Sequence, residues 1–315
     1  MKKFKKAFTL IEMIIVIVIM GIAAKFGTEL LMRAYEDYVY GTANNRLMAE
    51  SEAAVTQIAN RLQYRIKESI IFREGGDVNG TFINSFTSLA SANYNPIDSN
   101  TTVVEWVGYD NDGWRGDGSS TKPTWSGIID LEHVSASNTI LISPESNATR
   151  ISSVISALSY GSFNGAGSAL FFIGDESVNV NDGFGWNGNA IVDQNDTNLH
   201  RVNFGTGQFT SNNADNFSGV DIYEYYRLAW TSYALEFHRW TDVQGIAQGT
   251  VWLYYDYRPW LGENYTDGKK VVLMENVQTL RFSSIGDVLK VQVCVGDGDI
   301  FKKGAYSVCK EKTVF

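Results

Sequence analysis

The chain has 315 residues and a formal net charge of −9, because 35 acidic residues outnumber 26 lysines and arginines. This balance argues against nucleic acid as the main partner, since a nucleic-acid surface needs clustered positive charge. Apolar residues make up 44% of the chain, which is enough for a sizeable core, and 29 glycines against 4 prolines favour a turn-rich β protein.

An apolar run follows four lysines at the start of the chain. The run covers residues 8–24 and contains only two polar positions, Thr9 and Glu12. It is only just long enough to cross a bilayer. A carboxylate inside such a run costs about 2.5–3.5 kcal/mol on insertion scales and marks a functional position by default.

Beyond the apolar run, apolar residues recur every three or four positions, which is the spacing of one helix face. Charged residues fill the positions between them, and the first proline is Pro96. The pattern predicts one helix over residues 8–74, membrane-embedded over 8–27 and amphipathic in the remainder. Hydropathy alone leaves open a simple signal anchor with a helical stalk.

The residues around the start of the run carry a more specific signal. Two lysines and Ala7 are followed by Phe-Thr-Leu-Ile-Glu at 8–12 and then by the apolar helix. This order resembles the class III signal of type IV prepilins and type II secretion pseudopilins. The resemblance implies that a prepilin peptidase removes residues 1–7, cutting between Ala7 and Phe8, and methylates the new amine of Phe8. The family usually has glycine where this chain has Ala7.

The same resemblance gives Glu12 a role. In the family this glutamate neutralises the amino terminus of a neighbouring subunit during assembly. Opposite charges attract strongly in a bundle of low dielectric constant, and either charge alone is penalised there. The alternative is an acid that reaches the lipid headgroups from the end of the helix.

Residues 75–315 are predicted to form one extracytoplasmic β-rich globular domain, so the fold class is α+β with a pilin-like long amino-terminal helix. Short apolar runs alternate there with Gly, Asn, Asp and Ser, which is typical of strands and turns. We expect a short helix at 150–159 and strands at 233–240, 250–257, 271–282 and 288–295. The order of the last strands is similar to the carboxy-terminal part of J-type minor pseudopilins and large minor pilins.

The two cysteines, Cys294 and Cys309, lie near the end of the chain. A disulfide between them would close a loop of about 15 residues and add roughly 3 kcal/mol in the chain-entropy model. Many type IV pilins have a disulfide-bounded terminal loop, so the resemblance implies this bridge. Two free thiols or half of a metal site are the alternatives, and the three scattered histidines disfavour zinc.

Acid-rich loops offer candidate ligands for calcium. The candidates are Asp110, Asp112 and Asp117, because the Asp-x-Asp-Gly spacing at 110–113 can deliver oxygen ligands to Ca²⁺. The stretch does not complete an EF-hand, and turn chemistry explains such clusters equally well. No other cofactor is predicted. The sequence has no Gly-x-Ser-x-Gly, His-Glu-x-x-His or phosphate-loop motif, so we expect no enzymatic activity.

Four of the six Asn-x-Ser/Thr sequons carry an acid two residues before the asparagine. This pattern resembles the extended acceptor of bacterial oligosaccharyltransferases, and loops rich in Asp and Asn would generate it without any such role. A glycan is bulky and needs a surface position. The four candidate acceptors are Asn79, Asn100, Asn147 and Asn195.

The sequence therefore predicts a minor pilin or pseudopilin that assembles into a type IV pilus or type II secretion pseudopilus as a low-copy priming or tip subunit. Its partners would be the prepilin peptidase, other subunits and the bacterial inner membrane, with a single span and a periplasmic or extracellular head. The alternative is a membrane-anchored tip adhesin that binds glycans. Its candidate stacking residues are Trp106, Trp114, Trp125 and Trp186.

Overall fold

A long helix and a β-rich head make up the computed structural model of this chain. The model describes residues 9–74, 85–88, 101–116, 118, 122–134, 139–175, 179–195, 197–211, 216–241, 247–286, 288–296 and 307–315. The head consists mainly of antiparallel sheet. The predicted α+β class is confirmed.

The α-helices within these residues are α1 (Leu10–Leu62), α2 (Asn111–Arg115) and α3 (Ala148–Leu158). The last of them confirms the helix predicted at 150–159. It begins after Asn147, whose side chain accepts a hydrogen bond from the backbone N–H of Arg150. Ile151 and Ile155 bury one of its faces in the head, as expected for an amphipathic surface helix.

The strands of the head form one large and one small sheet. In chain order the strands are β1 (Ile71–Glu74), β2 (Thr87–Ser88), β3 (Thr101–Tyr109), β4 (Ile140–Ile142), β5 (Ser168–Phe172), β6 (Leu199–Gly205), β7 (Gln208–Ser211), β8 (Tyr226–Thr241), β9 (Ala247–Tyr257), β10 (Lys269–Met274), β11 (Val277–Ile285), β12 (Val288–Gly296) and β13 (Ser307–Val314). The large sheet has the order β2-β1-β3-β8-β5-β6-β7-β4, with β9 paired to β8 and β10 paired to β9. The long strand β8 pairs with β5 near its start and with β9 further along.

The helix α1 ends at Leu62, so the boundary predicted at residue 74 was wrong. Residues 71–74 instead form β1, which pairs antiparallel with β3 inside the large sheet. Ile66, Ile70 and Ile71 are all buried. The spacing of these apolar residues fits a helix face, but β-branched side chains also suit a strand, and pairing with β3 selects the strand.

The predicted strand at 271–282 is two strands that belong to different sheets. β10 pairs with β9 in the large sheet, whereas β11 pairs with β12 in the small one. Asn276 lies between them with φ of 57°, a left-handed conformation that asparagine tolerates better than most residues. The chain changes sheet at this turn. The strands predicted at 233–240, 250–257 and 288–295 are confirmed as parts of β8, β9 and β12.

One apolar cluster joins the helix to both sheets. The carboxy-terminal half of α1 contributes Val55, Ile58 and Leu62, and β12 contributes Val291 and Val293. All of these side chains are buried. The small sheet, in the order β11-β12-β13, thus covers the apolar stripe of the helix.

Candidate functional site

The first turn of α1 has a defined helix cap. Thr9 caps the helix, and its hydroxyl oxygen accepts a hydrogen bond from the backbone N–H of Glu12 at 3.4 Å. The Glu12 side chain is exposed in this first turn, where a negative charge also interacts favourably with the helix dipole. Ala7 and Phe8, the predicted cleavage and methylation positions, lie outside the described residues.

The first half of α1 is apolar and has no contact partner in the head. Every residue from 10 to 38 is exposed. Among the described residues, α1 is the one helix long and apolar enough to cross a membrane. Its stretch from Leu10 to Phe26 is about 26 Å long at about 1.5 Å per residue. A continuous apolar surface of this kind requires a bilayer or neighbouring helices to cover it. The exposed large apolar side chains of this stretch are Leu10, Ile11, Met13, Ile14, Ile15, Val16, Ile17, Val18, Ile19, Met20, Ile22 and Phe26.

The second half of α1 is attached to the head. Its buried residues recur at steps of three and four and are Ala43, Leu47, Ser51, Ala54, Val55, Ile58 and Leu62. Beside this buried face, Lys312 of β13 contacts two polar residues of α1. Its Nζ lies 2.7 Å from Thr56 Oγ1 and 3.5 Å from Glu52 Oε1. The head is therefore fixed to the helix while the apolar half projects free of it.

A disulfide joins Cys294 and Cys309. The two residues lie directly opposite each other on β12 and β13, with 4.0 Å between their Cα atoms. The bond therefore crosses the two strands that pack against α1, and it encloses the connection between them. A covalent loop of this length restricts the unfolded chain and so favours the folded head.

A buried ion pair holds β1 to the rest of the head, and sequence reasoning missed it. The Arg73 guanidinium donates to the Glu105 carboxylate and, through Nη2, to the Trp186 carbonyl at 2.7 Å. Tyr257 donates its hydroxyl proton to Glu105 Oε2 at 2.8 Å. Burial, with Glu105 beside it, raises the pKa of Tyr257 well above its usual value. The sequence signal was Glu105 itself, an acid in the middle of the apolar run of β3.

The structure gives Asp110, a predicted calcium ligand, a different role. Its carboxylate caps α2 by accepting from the Gly113 N–H at 3.0 Å, and it also accepts from Trp125 Nε1 at 3.1 Å. Burial raises its pKa to about 6 despite these bonds. Asp112 is exposed, and Asp117 lies outside the described residues. No group of three metal-ligating side chains occurs among the residues that the structure describes, and calcium at this loop remains a prediction.

Two of the four candidate glycan acceptors lie in the described part of the chain. Asn147 caps α3 and is half-buried, whereas Asn195 is exposed. The Asn195 backbone N–H donates to Asp193 Oδ1 at 2.9 Å, which fixes a turn at that sequon. Asn79 and Asn100 lie outside the described residues. Glycosylation stays a prediction at all four positions.

Three of the four tryptophans proposed to stack on sugars are core residues. Trp106, Trp125 and Trp186 are at most 2% exposed, whereas Trp114 is 44% exposed and packs against Trp125. Buried rings cannot receive a ligand from solvent. These four residues therefore form no shared aromatic platform on the head.

The chain matches a family model described as the prokaryotic N-terminal methylation motif over residues 2–24. No curated protein and no solved structure is significantly similar to the chain. The chain thus carries a prepilin class III signal on a long apolar helix, as the sequence predicted. This motif indicates a structural subunit of type IV pilin or pseudopilin kind, anchored in a membrane.

Proposed function

We propose that the chain is a minor subunit of a type IV pilus or type II secretion pseudopilus, present in few copies and active in priming or at the tip. The observation that carries this proposal is the free apolar half of α1, which bears the motif and leaves Glu12 accessible. The head supports the low copy number. It occupies most of a 315-residue chain, and such a bulky head is difficult to stack in every turn of a filament.

Processing places the subunit in its working position. A prepilin peptidase removes residues 1–7, and Phe8 becomes the methylated amino terminus. The apolar half of α1 then lies in the bacterial inner membrane as a single span, with the head in the periplasm. The disulfide between Cys294 and Cys309 supports an oxidising compartment for the head.

Assembly depends on two charged groups at the amino-terminal end of the mature helix, the amine of Phe8 and the carboxylate of Glu12. Cleavage creates an α-ammonium group on Phe8, and the Glu12 carboxylate of one subunit neutralises this group on its neighbour. An unpaired charge in an apolar bundle costs several kcal/mol, so the pair selects one axial register between neighbouring helices. The subunit leaves the membrane only when surrounding helices replace lipid around its apolar half.

Localisation and counting test this proposal. Antibodies to the head should label one end of isolated filaments, and quantitative mass spectrometry should find far fewer copies of this chain than of the major subunit. Deleting the gene should reduce the number of filaments more than their length. Uniform labelling along the filament, or a copy number equal to that of the major subunit, contradicts the proposal.

A further inference from the structure

The sequon at Asn195 lies on an exposed turn of the head. Asn195 is exposed, whereas the asparagines of the other three sequons that the structure describes, Asn147, Asn216 and Asn264, are half-buried. Asn195 also borders an open cleft of about 560 Å³. A bulky group attached to its side chain therefore has room, which a glycan requires.

The carboxamide of Asn195 differs from those of the other three sequons in its hydrogen bonds. Asn147 Oδ1 caps α3 by accepting from the Arg150 N–H at 3.0 Å. Asn216 and Asn264 each accept from a backbone N–H two residues further on, at 2.8 Å and 2.9 Å. Within the described residues the Asn195 carboxamide makes no such bond. An enzyme that takes hold of this carboxamide therefore breaks no hydrogen bond of the head.

The acid and the hydroxyl of this sequon are held in place around the asparagine. Asp193 is exposed, and its Oδ1 accepts from the Asn195 N–H at 2.9 Å. The Thr197 hydroxyl donates to the Gln194 carbonyl at 3.1 Å, and Gln194 is buried. The turn thus presents a carboxylate next to a free amide, and an arginine of an enzyme can bind such a carboxylate.

We propose that Asn195 is the acceptor of an N-linked oligosaccharide and that the folded head excludes Asn147 from this reaction. The donor is an oligosaccharide on a lipid pyrophosphate, and the catalyst is a periplasmic oligosaccharyltransferase that binds the Asp193 carboxylate. Asn195 Nδ2 attacks the anomeric carbon, so a C–N bond forms while the bond from that carbon to the pyrophosphate oxygen breaks. The lipid pyrophosphate leaves with the electron pair, and the amide loses one proton to a base of the enzyme. The inference rests on the periplasmic position of the head in the proposed function.

Site-resolved mass spectrometry of the full chain, purified from its own cells, tests this inference. Glycan occupancy at Asn195 should exceed that at Asn147 by about tenfold or more, since modifying Asn147 requires release of the α3 cap. Asp193→Asn keeps the oxygen that accepts from the Asn195 N–H but loses the charge, and it should lower occupancy by about tenfold. Asn147→Asp preserves the helix cap and should leave occupancy at Asn195 unchanged. Asn195→Asp, the matched variant, should abolish it.

Peptides from the unfolded and digested chain show whether the fold makes this choice. They are incubated with a lipid-linked donor and a bacterial oligosaccharyltransferase that requires the acid. The peptides with Asn147 and Asn195 should be modified equally, because both carry an acid two residues before the asparagine.

Four results would overturn the inference. They are an unmodified Asn195 in cells, equal occupancy of Asn147 and Asn195 in the folded chain, unchanged occupancy in Asp193→Asn, and a preference for Asn195 that the unfolded peptides already show. Filaments are counted in the same cells, so absence of the glycan and failure of assembly are separate results.

Discussion

Lys312 on the last strand donates a hydrogen bond from Nζ to Thr56 Oγ1 on α1 at 2.7 Å. The same ammonium lies 3.5 Å from Glu52 Oε1. The last strand, β13, is thereby held against the carboxy-terminal part of α1. Beneath this polar contact, Ile58 of α1 is buried in the apolar cluster that includes β12.

We expect apolar packing to contribute more than these charges to the attachment of the helix. Ile58→Ala should lower the free energy of unfolding by about 2–5 kcal/mol, because it leaves a cavity in the cluster. Lys312→Met, the matched control on the surface, should cost less than about 1 kcal/mol. Urea unfolding of the full chain in detergent, followed by tryptophan fluorescence, measures both values. A larger loss in Lys312→Met would contradict the expected ranking.

Processing at the amino terminus is a direct consequence of the methylation motif. Mass spectrometry of membrane fractions should find a mature chain that begins at Phe8 and carries a methyl group on its amine. Ala7→Gly restores the residue usual in the family and should be cut at least as fast. A chain that keeps Met1 or is cut beyond Ala24 would contradict the prepilin interpretation.

The charge of Glu12 can be removed without changing the size of the side chain. Glu12→Gln should insert and be cleaved normally, because a neutral amide is easier to bury than a carboxylate. It should then assemble poorly, since breaking a buried pair typically costs about 3–5 kcal/mol. The measurement is co-purification with filament partners at matched membrane levels of cleaved protein.

Glu12→Asp is the control for this experiment, because it retains the negative charge and should assemble better than Glu12→Gln. Wild-type assembly by the glutamine variant would show that the carboxylate only reaches the lipid headgroups. Equal loss in both variants would show that negative charge alone is not sufficient, and that the carboxylate must also lie at the distance that a glutamate side chain gives it.

The disulfide should stabilise the head mainly through the unfolded chain. Replacing Cys294 and Cys309 together by serine should lower the free energy of unfolding by roughly 3 kcal/mol. Reduced wild-type protein should show a similar loss, and the oxidised protein should give one cross-linked peptide in a non-reducing map. Two free thiols in periplasmic material would refute the bridge.

Asp110 should make stability depend on pH in an unusual direction. Its pKa rises from 3.8 to about 6 on folding, so the folded state holds the proton more tightly than the unfolded state. Its contribution to the free energy of unfolding is therefore fully present below about pH 4 and is lost as the pH rises through 6. The free energy of unfolding changes by roughly 3 kcal/mol over this window. Asp110→Asn, which cannot titrate, should show a flatter profile over this window.

The pH dependence of the free energy of unfolding must be compared between Asp110→Asn and the wild type, because His200 changes this free energy with pH in the opposite direction. Its pKa falls from 6.5 to about 4 on folding, so its contribution is present above pH 6.5 and is lost as the pH falls toward 4. Subtracting the free energy of unfolding of Asp110→Asn from that of the wild type at each pH cancels the contribution of His200. If the free energies of unfolding of the two proteins run parallel from pH 4 to 6, folding does not raise the pKa of Asp110.

The sequence by itself determined the features that are local in the chain. The methylation motif occupies a contiguous stretch of residues, 2–24, and the apolar run needs no partner to be recognised. Helical spacing correctly predicted α3, alternating patterns predicted β8 and β12, and an aromatic, β-prone run predicted β9. These patterns reflect the periods of helix and strand, which are properties of consecutive residues.

Only the tertiary structure decided what depends on distant residues. Beyond the end of α1 at Leu62, residues 64 and 66 already bond to the backbone of β3 and residues 71–74 pair with it, and the run at 271–282 divides at Asn276 because its halves pair with β9 and β12. Asp110 is a buried cap because Trp125 covers it, a fact that no local spacing contains. Burial and pairing arise from contacts between segments far apart in the chain, and local patterns carry no record of those contacts.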